Sequence, residues 1–151
     1  MYKSLIQKIK TTFLGIDAVK GVYAKYLEGS IKTFPAVQFA FSDSDNTWET
    51  NCENKVVLNF NVIARFSLSG ITEANDTNFY ENTIPNFIDK VFAEFETNWG
   101  SYIEVTKDND VIQHKMWWIL NNRQPYVDVL EKNKEVIIPF SLTVKVNKDI
   151  S

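Results

Sequence analysis

Cysteine and histidine are nearly missing from this chain: Cys52 and His114 are the only examples of each. A lone thiol forms no internal disulfide and cannot by itself make a thiolate metal site. A lone imidazole removes most zinc and catalytic-triad chemistries. Glycine is scarce as well, five in 151 residues, so backbone cradles for phosphate are not expected. No Gly-rich phosphate loop, G-x-S-x-G elbow or HExxH stands anywhere in the chain. There is no apolar run of the length a signal peptide or a membrane span needs. Nor is one sign of charge concentrated: 16 basic and 19 acidic residues give a net charge of −3, and the lysines are scattered. That distribution argues against a dedicated nucleic-acid groove.

What the chain does have is alternation. From Val56 to Leu68, Val56, Leu58, Phe60, Val62, Ala64, Phe66 and Leu68 are apolar at every second position. The other set, Val57, Asn59, Asn61, Ile63, Arg65 and Ser67, is expected to face water or a partner. A second run near the C-terminus repeats the logic, with Val136, Ile138, Phe140, Leu142, Val144 and Val146 on one face. Pro139 lies on its other face and predicts an edge or a bulge, because it has no N–H for a ladder. The two runs outline an antiparallel sheet with one solvated face.

In chain order, Tyr2, Leu5, Ile6, Ile9 and Phe13 mark an amphipathic helix over residues 2–14, ended by Gly15. Short strands are expected over 19–26 and 34–41. A polar stretch, SDSDNTWETNCENK, then leads into the central strand. So long a loop is uncommon inside a compact domain, so it reads as a protruding hairpin or a contact loop. A helix is expected over 72–99 with Glu73 in its first turn, kinked or restarted at Pro85 and capped by Gly100. Extended runs follow at 102–106, 115–121 and 126–130. With no repeats and no linker, the chain reads as a single domain over residues 1–151. The fold class is α+β, a mainly antiparallel sheet with the N-terminal helix and one long, possibly Pro-kinked helix packed on one face.

Residues that carry chemistry are few. Asp43, Asp45, Glu49 and Glu53 form the densest carboxylate cluster. A calcium-loop pattern fails, because counting from Asp43 the sixth position is Trp48 and the twelfth is Asn54. A solvated acidic loop is the better account. His114 reads as a surface histidine, and the expectation is no enzyme, no metal and no cofactor. Trp117 and Trp118 are adjacent on a strand and point to opposite faces, so one of them is expected to meet a partner. Trp48, in a polar loop, is a second candidate anchor.

The order of these features resembles a known family. An N-terminal helix ending before a V-x-G-V-Y strand is followed by Phe34-Pro35-Ala36-Val37, then Ser42-Asp43, Glu49 and Asn54 in a polar segment. An alternating strand and a long helix come next. This arrangement is similar to the tail-terminator and minor tail proteins of long-tailed bacteriophages. The resemblance implies a structural virion protein that forms a hexameric ring on the last ring of tail-tube protein. It would sit at the head-proximal end of the tail and be made in the host cytoplasm. Its partners would be further copies of itself, the tail tube protein and a head-completion or connector protein. DNA would only pass through the lumen, with no membrane involved. Under this resemblance the interface residues are Asp43, Asp45, Trp48, Glu49, Arg65, Trp117, Trp118 and Arg123, with Arg65 or Arg123 facing a neighbour's acidic loop. The alternatives are a head-completion or connector subunit on the portal side, or a small-ligand or nucleic-acid-binding α+β domain using Asn59, Asn61 and Arg65.

Overall fold

The computed structural model describes residues 1–24, 33–42, 47–49, 55–121, 128–130 and 134–147. Two strands dominate it, β4 (Lys55–Ser67) and β8 (Glu135–Asn147), which pair antiparallel along their whole length. The alternation explains why. Val56, Leu58, Phe60, Val62, Ala64 and Phe66 sit directly opposite Val146, Val144, Leu142, Phe140, Ile138 and Val136. All twelve are buried, so a one-residue slip would turn the slipped strand's whole set to the wrong face.

Around this pair the sheet builds out in the order β1-β2-β4-β8-β6-β5. The added strands are β1 (Gly21–Tyr23), β2 (Ala36–Phe41), β5 (Gly100–Lys107) and β6 (Asp110–Asn121). Two short strands attach off this path: β3 (Thr47–Glu49) pairs with β4, and β7 (Asp128–Leu130) pairs with β8. All neighbours are antiparallel except β1 and β2, which run parallel.

The helices lie on one face, making an α+β fold. α1 (Tyr2–Leu14) buries Leu5, Ile9 and Phe13, one turn apart as an amphipathic helix requires. α3 (Ile84–Thr97) buries Ile84, Phe87, Val91 and Phe95. The two helices meet through Phe13 and Phe95, whose rings are 4.9 Å apart, and Phe87 packs edge-on to Phe66 at 4.8 Å. Each such side chain contributes about 1.5–3 kcal/mol on burial.

The helix expected over 72–99 is corrected at its start. Asn75 Oδ1 accepts from the Thr72 N–H at 2.7 Å while the Thr72 carbonyl accepts from the Asn75 and Asp76 N–H groups, a closed turn of capping-box type ahead of the helix. Helix begins instead with the single turn α2 (Asp76–Asn78) and passes through a wider π-turn over Phe79–Thr83. Pro85 then falls in the first turn of α3, where its missing N–H costs nothing. The backbone stays helical through Thr83 and Ile84, so the irregularity expected at Pro85 is the π-turn just before it and not a break with a fresh start. Gly100 opens β5 rather than capping the helix. The cap is Asn98, whose amide Nδ2 donates to the Glu94 carbonyl at 3.0 Å.

Two further expectations are refined. β5 and β6 are one hairpin closed by Asp108 and Asn109, both at positive φ (51° and 68°), a two-residue turn that these residue types tolerate. The polar stretch after β2 contributes β3, paired Thr47 to Val57 and Glu49 to Lys55, so part of it continues the sheet as a hairpin would. Pro139 is inside the sheet, not at an edge, and the ladder phase shows how. Leu68 N–H donates to the Lys134 carbonyl, so even-numbered residues of β8 bond β4 and odd ones turn the other way. On that other side β6 ends at Ser141 and β7 spans Glu135–Ile137. Pro139 sits in the gap between them, where no N–H is required.

Candidate functional site

The helices cover one sheet face, so an interaction surface built on the faces of the strands must use the second. That face carries Ala36 and Gln38 from β2, Val57 to Arg65 at odd positions from β4, and Ile137 to Lys145 at odd positions from β8. Lys115, Trp117 and Ile119 extend it on β6, and Gly100, Tyr102 and Glu104 on β5. Its two ends differ.

At one end Arg65 is buried, and so are Gln38 and Glu135. Arg65 Nη1 donates to Gln38 Oε1 at 2.9 Å, and Nη2 donates to Glu135 Oε2 at 2.9 Å as an ion pair. The guanidinium thus ties β2, β4 and β8 together. Its Nε meets no acceptor among the described residues. The expectation that Arg65 stands exposed to take a neighbour's acidic loop is overturned. Alternation correctly gave its side of the sheet, but this end of the face is closed to water and its charge is already paired within the chain.

At the other end the face is open. Ile119 is 61% exposed and Tyr102 51% exposed, Lys115 and Lys145 are exposed, and Trp117 is half-buried. The register brings them together: Trp117 lies opposite Lys145 on β8 and Gly100 on β5, and Lys115 lies opposite Tyr102. A Cβ at Gly100 would come 3.7 Å from Trp117 Cδ1, so the indole lies across that glycine. Beside the patch Thr143 Oγ1 donates to Asn59 Oδ1 at 2.9 Å, linking β8 to β4. An apolar centre with the exposed Lys115 at its side suits a partner surface that brings a carboxylate beside an apolar contact.

The tryptophan pair resolves by parity. Trp118 is buried, 5.0 Å from the Phe95 ring, and its Nε1 donates to the Asn98 carbonyl at 2.6 Å. It is a core residue and leaves the interface set; Trp117 faces outward. His114 is half-buried on β6 opposite Ile103. Trp48 and Glu49 are placed only as backbone of β3, and Asp43, Asp45 and Arg123 lie outside the described residues. Among the described residues no three His, Cys, Asp or Glu side chains group as a metal site would require.

Sequence reasoning missed Tyr102 and Ile119. Ile119 was within reach: once Trp118 is core, the same alternation puts Trp117 and Ile119 on the other face. Tyr102 needed the β5–β6 register, which the chain does not spell out. No protein-family model matches this chain, and no curated protein matches it either.

Proposed function

We propose that this chain is a structural subunit of a bacteriophage tail, a tail terminator that closes into a ring, hexameric by the resemblance. The ring would cap the tail tube and offer the surface on which the filled head docks. The observation that carries the proposal is the open end of the second sheet face, where Tyr102, Trp117 and Ile119 stand beside Lys115. A ring needs heterologous contacts, one patch meeting a different patch on the next subunit. The chain supplies a complement in residues 42–54, which contain Asp43, Asp45, Glu49 and Glu53 and no basic residue. Further support comes from the α+β fold, whose elements follow in the order the resemblance implies. On this reading the chain performs no catalysis, holds no cofactor, and meets DNA only in passage.

The test is the solution mass by light scattering at low and high concentration, then again after mixing with tail tubes. The expected result is a particle near six times 17.5 kDa, free or on the tube end, with a central hole by electron microscopy. A protein that stays monomeric and ignores tail tubes overturns the proposal. Salt-dependent DNA binding by that monomer would point to the nucleic-acid alternative.

A further inference from the structure

The strand β5 forms one edge of the sheet: β6 pairs with it on one side, and no described strand pairs on the other. The ladder phase says which of its groups are left over. Trp118 N–H donates to the Trp99 carbonyl at 3.0 Å, so odd-numbered residues of β5 bond β6. Gly100, Tyr102, Glu104 and Thr106 therefore turn their N–H and C=O groups outward. Beside this edge runs a groove of about 880 Å³ between β5 and the polar flank of α1. Residues 101–106 line one wall without a break, and Lys3, Ser4, Gln7 and Lys8 line the other.

We propose that this groove takes an extended acidic polypeptide segment, added to the sheet alongside β5. The outward backbone groups recur at every second residue, a spacing that another extended backbone matches along its length. The charge of the wall selects the segment. α1 carries Lys3, Lys8 and Lys10 and no acidic residue, in a chain whose net charge is −3. Lys3 and Lys8 form no ion pair among the described residues, and the one acidic residue lining the groove, Glu104, belongs by register to the sheet face away from α1. The positive end of the α1 dipole lies at the same end of the groove, beside Met1. Carboxylates on the helix-facing side of an added strand would reach both lysines, while its other side chains stand toward solvent. The proposal rests on this groove alone and is independent of the ring reading.

The test uses the full chain, isotopically labelled, and an acetylated, amidated hexapeptide of alternating glutamate and valine at low salt. Amide hydrogen exchange at Tyr102, Glu104 and Thr106 is expected to slow about tenfold when free peptide reaches about ten times its Kd. A counterpart of alternating lysine and valine is expected to bind at least about tenfold more weakly. The double variant Lys3→Glu, Lys8→Glu should weaken the acidic peptide by a similar factor. Glu104→Pro removes a central outward donor and spares the bonds to β6. It should abolish binding although it leaves Lys3 and Lys8 in place. Far-ultraviolet circular dichroism and the urea unfolding midpoint report whether each variant keeps its fold. Unchanged exchange at these amides with millimolar peptide, equal binding of the lysine peptide, or protection centred on Trp117 would each overturn the proposal.

Discussion

The two ends of the second sheet face carry the same alternating pattern and behave in opposite ways. At the Arg65 end a cation, an anion and an amide are buried and bonded to one another across β2, β4 and β8. At the Ile119 end, apolar and cationic side chains meet solvent. The difference shows that period-2 patterning assigns a side chain to a side of the sheet and says nothing of what covers that side. A charge on the polar side of a strand is a contact for a partner only if nothing in its own chain has already claimed it.

The contrast can be broken most sharply with Glu135→Ala. Removing one member of a buried pair leaves the guanidinium unpaired, and the expected loss is about 3–5 kcal/mol in urea unfolding. Replacing Arg65 and Glu135 together by Met and Leu should recover most of it, since a buried pair and apolar residues of like volume are often near equal in stability. If Glu135→Ala instead cost under about 1 kcal/mol, Arg65 would have to reach water, and the two ends would be alike. Between the ends, Thr143→Val removes the hydrogen bond to Asn59 while keeping shape. The expected cost is about 0.5–1.5 kcal/mol on the same unfolding curve. At the open end, Ile119→Lys should change stability by no more than about 0.5 kcal/mol, as for other exposed positions. Under the proposed function it should nonetheless reduce the ring population seen by light scattering. An unfolding midpoint that drops as far as in Glu135→Ala would make Ile119 a structural residue.

The parts of the fold most legible in the chain were β4 and β8, because their apolar positions run without a break and admit one register. That the helix would be irregular at Pro85 was legible from the chemistry of proline alone. Its true beginning was not, because nothing in the apolar spacing records the turn that Thr72 and Asn75 close ahead of Asp76. The β5–β6 hairpin was hidden by its turn: Asp108 and Asn109 adopt positive φ without a glycine to announce it. Trp117 and Trp118 were correctly expected on opposite faces, but only the position of α3, with Phe95 and the Asn98 carbonyl, decides which one is core. Arg65 was placed on the right side and given the wrong surroundings. Gln38 and Glu135 are 27 and 70 residues away from it in the chain, so no local pattern could join them.

Pro139 divides the far side of β8 into two separately bonded stretches, one held by β7 and one by β6, while the near side is held by β4 throughout. Among the described residues the β5–β6 hairpin therefore pairs with the rest of the sheet along Ser141–Asn147, and its other ties are the side chains of Ile103, Met116, Trp118 and Leu120 in the core. In mechanical terms the domain is a stiff central ladder with a flap hung on half its length. Sub-global opening should begin by peeling that flap as a unit, with β4 and β8 still zipped. The free edge of β5 belongs to the part of the molecule that gives way first.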